Sequence, residues 1–198
     1  MHHQPLLVVL RAEEPLQLCE RLTSLESIGV RHVEIAWSAH PGWVDQVVEL
    51  RERHVALCLG AASIRQASAL QAVAAAGLSY AMAPVLDPLL QRQADHLGVQ
   101  LVPGVFSPSE VHQAMALGCD AVKLFPAATL GIHHWQRLRD PFGGLPFCIA
   151  AGGLAVGDVD AWLEAGVDAV TLGARVAGGA ALAELQAWIE RQQDQGRK

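Results

Sequence analysis

The chain has 198 residues, 52% of them hydrophobic and 17% charged, enough to bury a full core as one domain spanning 1–198. A formal charge of −6 without any run of Lys or Arg argues against nucleic acid or an anionic membrane as the main partner. Four widely spaced cysteines (Cys19, Cys58, Cys119, Cys148) with no C-x-x-C pair read as reduced core residues of a cytoplasmic protein.

The N-terminus, Met-His-His-Gln-Pro, lacks the basic region and apolar core of a signal peptide, and no uncharged apolar run reaches transmembrane length. From there the chain settles into a repeated unit. Five times a helical pattern ends in Gly and passes straight into a short apolar run, at Gly29, Gly77, Gly98, Gly118 and Gly166. Each glycine fits a left-handed helix C-cap leading into a strand. Filling the gaps predicts eight strands, at 5–11, 31–37, 55–60, 79–83, 99–103, 120–125, 146–151 and 168–172, each followed by a helix. Eight β/α units in this length specify a small, single-domain (β/α)8 TIM barrel. The rival, a doubly wound open sheet, would carry G-x-G-x-x-G after its first strand, where Leu10-Arg11-Ala12-Glu13 stands instead. The last seven residues, 192–198, read as a frayed tail.

In such a barrel the chemistry collects at the C-terminal ends of the strands. Among fourteen basic residues only two are lysines, and one of them, Lys123, lies inside the apolar run Ala121-Val122-Lys123-Leu124-Phe125. Strand alternation sends Val122 and Leu124 outward and Lys123 into the barrel. The same rule points Glu34 inward on the second strand, with Val33 and Ile35 facing the helices. A desolvated lysine can lose its proton and attack a carbonyl, and a nearby carboxyl can move protons for it. The plainer readings are a lysine snorkelling to solvent or a structural ion pair. Gly152-Gly153 ahead of a helix start offers backbone N–H groups to an anion, or is simply a tight loop; Gly173 and Arg175 are the further contributors to such a site. None of the nine histidines forms H-x-x-x-H or H-E-x-x-H, so they read as solvated side chains rather than metal ligands.

The stretches His32-Val33-Glu34-Ile35, Leu59-Gly60-Ala61-Ala62-Ser63, Val102-Pro103-Gly104, Ser107-Pro108-Ser109-Glu110, Val122-Lys123-Leu124-Phe125-Pro126 and Ala151-Gly152-Gly153 resemble one family. It comprises the class I aldolases of 2-keto-3-deoxy-6-phosphogluconate (KDPG), 2-keto-3-deoxy-6-phosphogalactonate (KDPGal) and 4-hydroxy-2-oxoglutarate (KHG). The resemblance implies a barrel, usually a homotrimer, that cleaves a 2-keto-3-deoxy-6-phospho sugar acid to pyruvate and glyceraldehyde 3-phosphate. No metal and no cofactor is implied. By analogy Lys123 forms the Schiff base and Glu34 is the general acid/base. Arg11, Ser63 and Pro84 would hold the keto acid and its carboxylate, and Gly152, Gly153, Gly173 and Arg175 the phosphate. Trp37, Trp43 and Trp135 are candidates for trimer contacts or for covering the barrel's own core.

The departures from that pattern fall around the pocket. Ser38 stands where the gluconate branch has an arginine, which leaves Arg11 as the galactonate-like substitute. Ser63 and Ala151 replace threonine, or threonine and valine, Ala174 replaces serine, and Phe106 and Val85 stand where smaller residues are common. A more apolar, smaller pocket is expected. Two other functions compete: a barrel of this family that binds a keto acid or phosphorylated metabolite without turnover, and a phosphate-handling isomerase or synthase, which leaves an inward lysine unexplained.

Overall fold

A computed structural model describes residues 4–11 and 15–195. Its strands are β1 (Leu6–Leu10), β2 (His32–Ala36), β3 (Cys58–Ala62), β4 (Tyr80–Met82), β5 (Gln100–Val102), β6 (Gly104–Val105), β7 (Ala121–Leu124), β8 (Phe147–Ala151) and β9 (Ala169–Leu172). Between and after them run α1 (Pro15–Ser27), α2 (Trp43–Arg53), α3 (Ala67–Ala75), α4 (Pro88–Leu97), α5 (Pro108–Ala116), the short α6 (Ala127–Leu130) and α7 (Arg139–Phe142), α8 (Val159–Glu164) and α9 (Gly179–Gln195). The strands are hydrogen-bonded in the order β5-β4-β3-β2-β1-β9-β8-β7-β6, every pair parallel.

Closure depends on Pro103. The expected fifth strand, 99–103, is two short strands in one continuous stave: β5 pairs with β4, β6 pairs with β7, and Pro103 between them has no N–H to give either neighbour. Its carbonyl accepts from the Lys123 backbone N–H at 2.8 Å, so the break carries the ladder from one neighbour to the other. Nine parallel strands thus make an eight-staved, nearly closed barrel.

The five cap glycines all take left-handed φ values, from 67° at Gly98 to 92° at Gly166, as the repeat requires. The third strand differs from expectation. Residues 55–57 form a turn, closed by Leu57 N–H to His54 O at 2.9 Å, and Val55 is 84% exposed. His54 is pinned below it by Glu26, 2.6 Å away, so the chain turns before Cys58 and the strand runs on to Ala62. Cys58 consequently lies exposed at the strand's start, whereas Cys119 and Cys148 are buried and Cys19 is half-buried; the reading of all four as core residues fails at Cys58.

Alternation divides the core into two layers. Leu7, Tyr80, Met82, Val102, Ile149 and Ala169 pack inside the barrel, while Val8, Val33, Ile35, Val122, Leu124 and Val170 join the helices outside. Trp43 and Trp135 belong to that outer core, 4% and 1% exposed, and Trp43 Nε1 donates to Ala36 O at 3.2 Å; neither is free to anchor a partner, and Trp37 is half-buried. Two helices are fixed where the chain leaves the active face. Asp87 caps α4 by accepting from Leu89 and Leu90 N–H, and Ser107 with Glu110 forms a reciprocal capping box on α5. Helix α9 extends to Gln195, with Gln192 Nε2 donating to Asp160 Oδ1 at 3.4 Å, so the expected tail begins inside a helix; residues 196–198 lie outside the described residues.

Candidate active site

The C-terminal mouth of the barrel holds a cavity of about 160 Å³. Its wall contains Arg11 after β1, Glu34 on β2, Ser63 after β3, Pro84 after β4, Lys123 on β7, Gly152-Gly153 after β8 and Gly173 after β9. These are the residues singled out in the sequence, with one exception. Arg175 is exposed on the short 3-10 turn Ala174–Ala177 and does not line the cavity; of that turn Ala174 faces the cavity, while Val176 and Ala177 pack into the core.

Lys123 and Glu34 are the two charged-type side chains taken out of water here, 7% and 1% exposed. Burial pushes the Lys123 ammonium down to about 8, against the Glu34 charge that draws it back up. Burial likewise pushes the Glu34 carboxyl up to about 8, against the opposing fields of Lys123 and Arg11. Among the described residues no ion pair within 4.0 Å joins the two, and Glu34 Oε1 has no hydrogen-bond partner. A structural ion pair is therefore the wrong description. The groups share the cavity without touching, which leaves the amine free for a carbonyl carbon and the carboxyl free for a proton.

The surroundings fix both groups. On β2, Glu34 lies opposite Val9 and Gly60. Gly60 has no room for a side chain, because a Cβ there would stand 2.2 Å from the Tyr80 ring, which packs beneath the carboxyl layer. Desolvation first, then the Glu34 charge, raises the Tyr80 hydroxyl well above its ordinary range, so the phenol stays neutral. On β7, Lys123 lies opposite Gly104 and Ile149, with its Nζ 5.1 Å from the Phe125 ring centre. Gly104 is also obligatory: a Cβ would meet Pro84 O at 2.3 Å, so the backbone after β4 packs directly on the stave beside the lysine.

The glycine turn is built onto the lysine stave. A Cβ at Gly152 would stand 2.9 Å from the Phe125 ring and 3.1 Å from Pro126 Cα, and Gly152 O accepts from Ala128 N–H. Both Gly152 and Gly153 adopt left-handed φ, 98° and 83°. The backbone N–H groups of Gly152, Gly153, Gly173 and Ala174 donate to no backbone carbonyl among the described residues, so they remain available to an anion at this edge of the cavity. Across the mouth, Ser63 is the one described non-glycine residue with positive φ, 67°, a strained position of the kind found at binding loops. Sequence reasoning missed Thr171 as a wall residue; it was legible, since alternation from Gly173 places it on the inward side.

A buried amine and a buried carboxyl sharing the C-terminal mouth of a parallel β/α barrel fit the class of Schiff-base carbon–carbon lyases. The chain belongs to the KDPG and KHG aldolase family, whose family model matches residues 1–191. It is 23% identical over 171 residues to the 2-dehydro-3-deoxy-6-phosphogalactonate aldolase of Escherichia coli K12, covering 86% of this chain and 83% of that one. To the KHG/KDPG aldolase of the same strain it is 28% identical over 149 residues, 75% of this chain and 68% of the relative. Among solved structures, native KDPGal superposes with a TM-score of 0.83 at 22% identity over 96% of both chains. The Legionella pneumophila KDPG aldolase, in which pyruvate was captured as a covalent carbinolamine, superposes with a TM-score of 0.78 at 21% identity, over 96% of this chain and 93% of that one. Among the described residues no group of three or more His, Cys, Asp or Glu is placed to hold a metal ion, and no helix is long and apolar enough to cross a membrane.

Proposed function

We propose that this chain is a class I aldolase cleaving a 2-keto-3-deoxy-6-phospho sugar acid to pyruvate and glyceraldehyde 3-phosphate. The observation that carries the reading is the buried, mutually unpaired Lys123 and Glu34 at the barrel mouth. The neutral Lys123 amine adds to the C2 carbonyl; the protonated Glu34 carboxyl, the form its raised pKa favours, gives its proton to the carbinolamine hydroxyl, which leaves as water, so that Lys123 becomes a protonated imine and Glu34 a carboxylate. That iminium is the electron sink. Glu34 takes the proton of the C4 hydroxyl, the C3–C4 pair flows into the iminium as an enamine, and the aldehyde leaves. Glu34 then returns its proton to C3, and water releases pyruvate from Lys123.

Arg11 supplies the positive charge for the carboxylate that Ser38 cannot, and Ser63 and Pro84 line the keto-acid side. The phosphate rests on the backbone of Gly152, Gly153 and Gly173. Arg175, outside the wall, contributes only field from the rim. The fold and family argue against a barrel that merely binds metabolites, because a binder gains nothing from desolvating a lysine at this depth. A homotrimer in the cytoplasm is the assembly and location we assign; the relatives' family supports the first and the acidic, reduced-cysteine composition the second.

The test is borohydride reduction in the presence of pyruvate, read by mass spectrometry. A pyruvyl adduct on Lys123 in the wild type, lost in Lys123→Ala, is expected. No adduct in the folded wild type, or an adduct that survives Lys123→Ala, refutes the assignment.

A further inference from the structure

One polar group in the wall has no part in the chemistry above. Thr171 is 6% exposed, on the inward face of β9, and its Oγ1 has no hydrogen-bond partner. A buried hydroxyl left unpaired is destabilising, and valine would fill the same space without that cost. Its position shows what it faces. Stave β9 stands between β8 and β1, so Lys123 on β7 is two staves away on one side and Glu34 on β2 two staves away on the other. Thr171 is the Cα partner of Ala151, the residue that leads into Gly152-Gly153, and it lies two residues before Gly173. Thr171 thus lines the wall on the stave midway between those of Lys123 and Glu34, next to the strand ends that lead into Gly152-Gly153 and Gly173.

Resting on the aldolase reading, we propose that Thr171 is a specificity-determining residue that hydrogen-bonds the hydroxyl beside the aldehyde carbonyl, which is the C5 hydroxyl of the six-carbon keto acid. A substrate anchored at C2 by the imine and at C6 by its phosphate must lay C4 and C5 along this wall. The C4 oxygen is claimed by Glu34, whereas the C5 hydroxyl has no other side-chain partner assigned to it. The neighbouring Ala151 and Ala174 offer only methyl groups. The enzyme should therefore select 2-hydroxyaldehydes over aldehydes that lack this hydroxyl.

The experiment follows aldol addition of pyruvate to two acceptors that differ by that one group, D-glyceraldehyde 3-phosphate and 3-oxopropyl phosphate. The wild type should favour the first by about tenfold or more in kcat/KM, the scale of one well-placed hydrogen bond. Thr171→Val should lose about tenfold on D-glyceraldehyde 3-phosphate while keeping its rate on 3-oxopropyl phosphate, and Thr171→Ser should retain the wild-type preference. Equal losses on both acceptors, an unchanged preference in Thr171→Val, or loss of preference in Thr171→Ser overturns the proposal. If Thr171→Val does not fold, the wild type decides: absence of preference between the acceptors is fatal. Pyruvate trapping by borohydride separates the two levels, since a wild type that traps pyruvate yet ignores the hydroxyl refutes Thr171 alone. A wild type that traps no pyruvate removes the aldolase reading and this inference with it.

Discussion

The nucleophile assignment has a quantitative consequence for pH. A solvated lysine titrates near 10.5, so at pH 7 about one amine in 3,000 is neutral; burial brings Lys123 to about 8, and about one in ten is neutral. The structure therefore supplies about 300-fold more nucleophile at neutral pH than an exposed lysine would. The sign follows from the reacting form: the amine adds, the ammonium does not, so imine formation rises with pH and levels off once the amine is neutral. Mixing the protein with pyruvate between pH 6 and 10, then quenching timed samples into borohydride at one common pH, gives the initial rate at each starting pH. The rate should climb about tenfold per pH unit at the acid end and flatten near 8. A rate that keeps climbing to pH 10 would show that Lys123 is solvated and would refute the argument from burial; a flat profile throughout would remove lysine from the rate altogether.

Glu34→Gln should slow cleavage by about a hundredfold or more, the scale of general acid–base catalysis, while pyruvate trapping on Lys123 persists; unchanged turnover in the folded variant would dismiss its role. Gly60→Ala drives a Cβ to 2.2 Å from the Tyr80 ring and should destabilise the barrel by about 1–3 kcal/mol, measured as a lower denaturant midpoint; a variant as stable as the wild type contradicts the packing described. Arg11→Ala should weaken pyruvate trapping through the lost carboxylate contact, whereas Arg175→Ala should leave trapping intact and change the KM of phosphorylated acceptors by less than about threefold, as expected of an exposed charge. Light scattering should report a trimer at micromolar concentration, and a monomer would overturn the assembly we assign.

The barrel was legible because its period is written in glycines: five helix ends that need left-handed backbone cannot be disguised by the surrounding residues. The inward pair was legible for a similar reason, since alternation on β2 and β7 leaves no other face for Glu34 and Lys123. What misled was local apolarity. Val55-Ala56-Leu57 looks like the start of a strand, yet the His54–Glu26 contact across α1 and α2 turns the chain there, and no local pattern records a contact 28 residues away. Pro103 misled in the other direction, since a proline inside a strand reads as a stop and here joins two halves of one stave. The direction of Arg175 was not readable because the 3-10 turn after Gly173 sets its own phase, turning Ala174 to the cavity and the arginine to solvent.

The separation of Glu34 from Lys123 carries the most weight in the design. Glu34 titrates higher in the folded chain than its ordinary 4.5, so the stability it contributes is full below about 4.5 and is lost as pH rises through about 8. Lys123 runs the other way: its contribution is present above 10.5 and is lost as pH falls through about 8. Around neutral pH the fold therefore carries a cost from both groups. Bringing the two into contact would relieve that cost, because each charge would then hold the other in its ionised form. It would also return the lysine toward its ordinary pKa and remove the neutral amine. Keeping them out of contact in one cavity preserves the nucleophile and the proton carrier together, and the barrel sheet, with Leu7, Met82, Val102 and Ile149 packed inside it, is what keeps the fold around them.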